Sequence, residues 1–160
     1  MRIGIVSDTH DCLPMIAKAI DGLLAARVEH VLHAGDFVAP FAVKPLARLH
    51  VPVSAVYGNN DGERQGLAAA FEPFGSVRSR AAVCELGGSR VVVVHEPLLL
   101  RQLAHSGDFD LCVYGHTHEV DVRRDGALII NPGEVCGYVS GRATMVVLDL
   151  DTMQPEVIDL

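Results

Sequence analysis

Five short apolar runs in this chain each lead into an aspartate, an asparagine or a histidine. Ile3–Val6 leads to Asp8 and His10, and Val31-Leu32 to Asp36. Val51–Tyr57 leads to Asn59, Asn60 and Asp61, Val91–Val94 to His95, and Leu111–Tyr114 to His116 and His118. Short β-branched and aliphatic runs of this kind read as strands. Between the first three lie segments with helical spacing. Leu13, Ile16, Ala17, Ile20, Leu23 and Leu24 share one face, with Pro14 suited to a first turn. Phe41–Leu49 is also helical, Pro45 making it irregular or delaying its start, and Arg64–Phe71 is a short helix that stops before Pro73. A βαβαβ order results. In open α/β sheets ligands bind outside the carboxyl ends of the strands, so polar side chains far apart in sequence are expected to converge there.

The second half is richer in hairpins. Ala81–Leu86 and Arg90–Val94 flank Gly87-Gly88, and Val120–Arg123 and Ala127–Ile130 flank Asp125-Gly126, both two-residue turn signals. Leu98–His105 is helical, and Thr144–Leu150 and Glu156–Leu160 are the last strands. The expected fold class is α/β, a four-layer αββα sandwich of two mixed sheets. Residues 1–160 form a single domain, without repeat, linker or low-complexity segment.

A chain of 160 residues buries roughly 68–70% of its unfolded surface and needs no disulfide staple. Cys12, Cys84, Cys112 and Cys136 form no close pair and read as buried, reduced thiols. With no apolar run of membrane-spanning length and no leader-like start, the expected location is cytoplasmic. Thirteen Lys and Arg stand against twenty Asp and Glu. That balance argues against nucleic acid, whose binding needs clustered cations, and Arg78/Arg80 and Arg123/Arg124 are too small for that work.

The strand-end residues form a mixed nitrogen and oxygen set: Asp8, His10, Asp36, Asn59, His95, His116 and His118. Such a set suits Mn, Fe, Zn, Co or Ni better than Ca or Mg. One ion takes about four to six ligands, so seven candidates point to two ions sharing a carboxylate. Gly35, Gly58 and Gly115 each precede a candidate ligand, where the backbone must turn sharply or approach a bound group.

Asp8-Thr9-His10, Gly35-Asp36, Gly58-Asn59-Asn60-Asp61, His95 and Gly115-His116-Thr117-His118 resemble, in order, the motifs of the calcineurin-like metallophosphoesterases. Asn131-Pro132-Gly133 is similar to a segment of the small YfcE-like phosphodiesterase branch. The resemblance implies that Asp8, His10, Asp36 and His118 hold one divalent transition ion and Asp36, Asn59, His95 and His116 a second. Asp36 would bridge, and Mn stands ahead of Ni, Fe, Co and Zn. His10, Asn60 and Asp61 are the candidate catalytic residues. The implied reaction is hydrolysis of a small phosphodiester by metal-activated hydroxide, in line with the leaving group.

Two positions depart from the family pattern. Asn60 stands where many members have a histidine that can protonate the leaving oxygen; an amide donates a hydrogen bond but no proton at neutral pH. Glu96 stands where glycine is frequent; it could narrow the pocket, orient His95 or face solvent. His30, His50 and His105 read as surface or loop residues, His33 as a hydrogen-bonded core histidine, and Tyr57 and Tyr114 as packing residues. Glu134, Cys136 and Tyr138 could line the pocket. The competing reading is a non-catalytic scaffold of the same fold, like the retromer subunit, and a nuclease is a third. The resemblance also allows a homodimer.

Overall fold

The computed structural model describes residues 1–160. Its first sheet has six strands: β1 (Arg2–Val6), β2 (His30–His33), β3 (Val53–Val56), β4 (Gly75–Arg78), β10 (Thr144–Asp149) and β11 (Gln154–Asp159), in the order β11-β10-β1-β2-β3-β4. The second has five: β5 (Ala81–Leu86), β6 (Ser89–Val94), β7 (Leu111–Val113), β8 (Val120–Asp125) and β9 (Ala127–Pro132), in the order β5-β6-β7-β9-β8. Strands β1 to β4 are mutually parallel, as are β6, β7 and β9, while hairpin partners run antiparallel. Both sheets are therefore mixed.

Alternation along the strands decides the layering. Ile3, Ile5, Leu32 and Val56 face Val91, Val93, Leu111, Val113 and Ile130, and this apolar layer seals the sheets together. The opposite face of the first sheet is covered by α1 (Leu13–Ala25), α2 (Pro40–Val43) and α3 (Arg64–Phe71). The outer face of the second takes α4 (Leu100–His105), with Leu100 and Ala104 against Val92, Cys112 and Ile129. The arrangement is the four-layer αββα sandwich that the strand pattern predicts.

Helix α1 forms because Ile16, Ala19, Ile20 and Leu23 recur on one buried face and Pro14 occupies its first turn. Burying its three large side chains contributes about 1.5–3 kcal/mol each. The Pro45 question resolves locally. Without an N–H at Pro45 the α2 ladder cannot continue, and the chain tightens into a 3-10 helix over Lys44–Leu49, ending at a left-handed His50.

Three sequence expectations need correction. Strand β4 is not apparent in the sequence: it is a short edge strand on β3 in which half-buried and exposed residues alternate. His30 is no surface residue; it begins β2 opposite Ile3, is 8% exposed and meets Ser54 Oγ at 2.9 Å. Cys84 is only partly buried, whereas Cys12, Cys112 and Cys136 are buried, and all four are free. No helix is long and apolar enough to cross a membrane.

Candidate metal centre

The parallel strands of both sheets deliver their carboxyl ends to one place. Asp8 and His10 leave β1, Asp36 leaves β2, Asn59 leaves β3, His95 leaves β6, and His116 and His118 leave β7. All seven candidate ligands meet there. His10 Nε2 lies 3.8 Å from Asp8 Oδ1 and 3.6 Å from Asp36 Oδ2, and His118 Nε2 lies 3.4 Å from Asp8 Oδ1. On the other side, His95 Nε2 lies 3.4 Å from Asp36 Oδ2, and Asn59 Oδ1 is 2.9 Å from both His95 Nε2 and His116 Nδ1. Asp36 Oδ2 belongs to both groups. Atoms bound about 2.0–2.2 Å from one ion stand about 3–3.5 Å apart, close to the spacing of these donors.

Three observations test whether a cation fits. First, Asp8 Oδ1 and His10 Nε2 are buried without any hydrogen-bond partner, a state that normally costs about 1–3 kcal/mol per group. Second, His95 Nδ1 lies 2.7 Å from the Ala34 carbonyl and donates to it. In the neutral ring the Nε2 lone pair then points at the oxygens of Asn59 and Asp36, a cluster of acceptors that a cation would satisfy together. Burial opposes a charge on His95, but Asp36 outweighs it and lifts the imidazole above its ordinary range. Asp8 does the same for His10. Third, Asp8, His10, Asp36, His116 and His118 all have positive φ, between 40° and 71°. Left-handed backbone at non-glycine residues costs of order 1–3 kcal/mol each and concentrates at functional sites. The residues present fit a metal pair.

The loops that carry the ligands are packed too closely for side chains at two glycines. A Cβ on Gly58 would strike the Asp36 carboxylate, and one on Gly115 would strike Ser7 Oγ. Asp61 fixes the same loops. Its Oδ1 accepts from the N–H groups of Phe37 and Val38, and its Oδ2 from those of Asp36 and Gly58, at 2.7–3.0 Å. With its carboxylate committed to the backbone and 2% of the residue exposed, Asp61 positions Asp36 and Gly58 rather than touching substrate. Asn60 grips Asp36 itself, its N–H donating to Oδ1 at 2.8 Å and its Nδ2 to Oδ2 at 2.7 Å. Burial opposes ionisation of Asp36, yet His95 and Asn60 hold its carboxyl well below the usual carboxylate range. Glu96 is exposed and borders the open cleft beside the centre.

Glu134 is the functional residue that the strand-end pattern passes over. It follows β9, is fully buried and accepts from His118 Nδ1 at 2.7 Å. It also accepts from Cys136 Sγ, from Ser140 Oγ and from the N–H groups of Val139 and Ser140. Burial opposes its charge, but these donors hold the carboxyl at about 2. The bond to Nδ1 leaves His118 Nε2 free to present a lone pair toward Asp8, the carboxylate–histidine pairing that orients metal ligands. The signal was available, since Glu134 too is a charged residue just after an apolar strand. Cys136, pushed up to about 12 by burial and by Glu134, stays a thiol; its Sγ, with His10 and His118, forms one close group of potential ligands. Tyr138 is exposed.

Residues 1–153 match the calcineurin-like phosphoesterase superfamily domain. The chain belongs to the calcineurin-like phosphoesterase superfamily. Among members, phosphodiesterase MJ0936 of Methanocaldococcus jannaschii is 40% identical over 156 residues, 94% of each chain. A structure described as a novel archaeal phosphodiesterase superposes with a TM-score of 0.94 at 38% identity, covering 100% of both chains. The phosphoesterase YfcE of E. coli shares the fold at 19% identity and a TM-score of 0.68, over 99% of this chain and 98% of its own. The calcineurin-like fold is thus present here in its small form, as the motif order predicts.

His33 illustrates how this superfamily member supports its site from behind. The ring is fully buried, tilted against Phe37 at 4.1 Å between centroids, and its Nδ1 accepts from the Gly35 N–H at 3.2 Å. Burial pushes its pKa down to about 3. Below the ordinary value near 6.5 the unfolded chain takes up a proton that the folded chain refuses, so His33 removes stability as pH falls from about 6.5 to about 3. His33→Asn, which keeps an acceptor for Gly35, is therefore expected to remove about 1.4 kcal/mol per pH unit from the slope in this window. Urea unfolding of metal-free protein and variant at pH 6 and pH 5 checks this; parallel pH profiles would contradict it.

Proposed function

We propose that this chain is a dinuclear phosphodiesterase acting on a small diester in the cytoplasm. Asp8, His10, Asp36 and His118 hold one divalent transition ion, and Asp36, Asn59, His95 and His116 the other, with Mn ahead of Ni, Fe, Co and Zn. The observation that carries the reading is Asp36 Oδ2, which lies 3.6 Å from His10 Nε2 on one side and 3.4 Å from His95 Nε2 on the other. The family and the MJ0936 relative, itself named a phosphodiesterase, support it.

When bound, such ions make water nucleophilic at neutral pH and offset charge on phosphate oxygens. The chain's part is to hold the donors in place. Asp61 ties the Asp36 and Gly58 loops together, Asn60 clamps both oxygens of Asp36, and Glu134 sets the tautomer of His118. None of these is a general acid at neutral pH: Asn60 has no proton to give, and the Asp61 and Glu134 carboxylates are consumed by other donors. The leaving group therefore departs without help from them, and diesters of acidic alcohols or phenols are favoured. The acidic surface disfavours polymeric nucleic acid. A pure scaffold leaves the converging donors and their strained backbone without a purpose.

Removing metal with chelator is expected to abolish hydrolysis of bis(p-nitrophenyl) phosphate, and Mn²⁺ to restore it, with the matching monoester hydrolysed more slowly. A steady-state assay of the two esters makes the check. Protein that binds Mn²⁺ yet cleaves neither would favour the scaffold.

A further inference from the structure

A cleft of about 470 Å³ opens directly beside the metal centre. Asn59 and His95 stand in its wall, so a diester held at the centre they help to form would have one substituent next to it. One side of the cleft is aliphatic, with Val94, Leu98, Leu99 and Leu103. Leu98 is 79% and Leu99 63% exposed, adjacent large apolar side chains that nothing in the chain covers. Arg64 and Arg80 also line the cleft. Arg64 is held in place: its Nε donates to the Asp61 carbonyl at 3.2 Å, and its guanidinium lies 5.1 Å from the Tyr57 ring centroid. Tyr57 Oη in turn donates to the Arg64 carbonyl at 2.8 Å. Glu96 is the one carboxylate in the lining. The other large cavity, about 570 Å³ between Gly88, His105 and Arg124, holds no candidate ligand.

The composition of the lining selects its ligand. A free anion would use the arginines but meet four aliphatic side chains. An alkyl chain would use the leucines and leave the Arg80 guanidinium unmatched. A flat aromatic ring uses both, because guanidinium stacks on π faces and leucine packs against them. We propose that this cleft binds one ester substituent of the diester and that the substituent is a planar aromatic ring, either a nucleobase or a simple aryl group. The proposal rests on the phosphodiesterase reading above.

The test uses the Mn²⁺-loaded protein and measures competitive inhibition by dimethyl, dicyclohexyl and diphenyl phosphate and by the dinucleoside phosphate TpT. All are monoanions, so differences report the substituent. Diphenyl phosphate is expected to bind at least tenfold more tightly than dimethyl phosphate, with dicyclohexyl phosphate between them. TpT as tight as diphenyl phosphate assigns the ring to a nucleobase; TpT as weak as dimethyl phosphate assigns it to a simple aryl ester. The double variant Leu98→Ser, Leu99→Ser, at exposed positions that the core does not need, should shrink the diphenyl-to-dimethyl ratio below threefold and raise KM for bis(p-nitrophenyl) phosphate. Arg80→Ala should erase the preference for phenyl over cyclohexyl. Equal inhibition by dimethyl and diphenyl phosphate, or a ratio unmoved by the double variant, overturns the cleft assignment while hydrolysis itself persists. If no diester is hydrolysed, the phosphodiesterase reading fails instead, and the same binding ratios measured by calorimetry still decide the cleft. A dimer that dissociates in the double variant with the ratio unchanged would mean that a second copy covers these leucines, and would also overturn the proposal.

Discussion

Asp36→Asn is expected to lower kcat/KM for bis(p-nitrophenyl) phosphate by about 10³-fold or more at saturating Mn²⁺. The residue is 1% exposed, and its Oδ2 lies 3.6 Å from His10 Nε2 and 3.4 Å from His95 Nε2, one imidazole from each ligand group. An amide there keeps the volume and one acceptor but removes the negative charge between two cations. It also sets an NH₂ group against either the Asn60 amide or the His10 and His95 nitrogens. Damage should therefore fall on metal retention and rate together, while the sandwich, whose core lies between and outside the sheets, stays folded. Circular dichroism with steady-state kinetics separates these effects. A folded Asp36→Asn protein with full activity would contradict a shared carboxylate.

Glu134→Ala should have the largest effect on stability. Truncation leaves the N–H groups of Val139 and Ser140, the Ser140 hydroxyl and His118 Nδ1 without their acceptor in a partly buried site. Each orphaned group costs about 1–3 kcal/mol, but water entering the vacated space recovers part, so a net loss of about 4 kcal/mol is expected. For a domain of this size that lowers Tm by about 10 °C. Metal affinity should fall about 10–100-fold as well, because His118 loses the partner that fixes its ring. Glu134→Gln, which keeps the shape and some acceptor capacity, should lie between. Thermal unfolding of the metal-free variants and calorimetric titration with Mn²⁺ make the measurement; an unchanged Tm together with an unchanged affinity would refute the role assigned to Glu134.

The fold was legible wherever side-chain pattern and burial coincide. Ile3, Ile5, Leu32 and Val93 announce strands because those strands are buried in the layer between the sheets. Gly75–Arg78 escapes because an edge strand with one half-exposed face carries no apolar run. His30 misleads because its burial comes from pairing with Ile3 and from Ser54, contacts set by tertiary structure. At the site, residue types and strand ends point to seven side chains that the fold then brings together, since metal chemistry restricts which side chains can serve. The supporting carboxylates are less visible. Asp61 sits inside a motif, yet only the fold shows that its oxygens face backbone amides. Glu134 follows a turn and gains its meaning when β9 is laid beside β7. The cleft at Leu98 and Leu99 is legible only in three dimensions, because Arg64 and Arg80 reach it from other elements.

The most direct measurement is anomalous scattering at metal absorption edges from crystals grown with Mn²⁺. The account predicts two peaks per chain, one among Asp8, His10, Asp36 and His118 and one among Asp36, Asn59, His95 and His116, with Asp36 touching both. A single peak, or density away from these side chains, would contradict it.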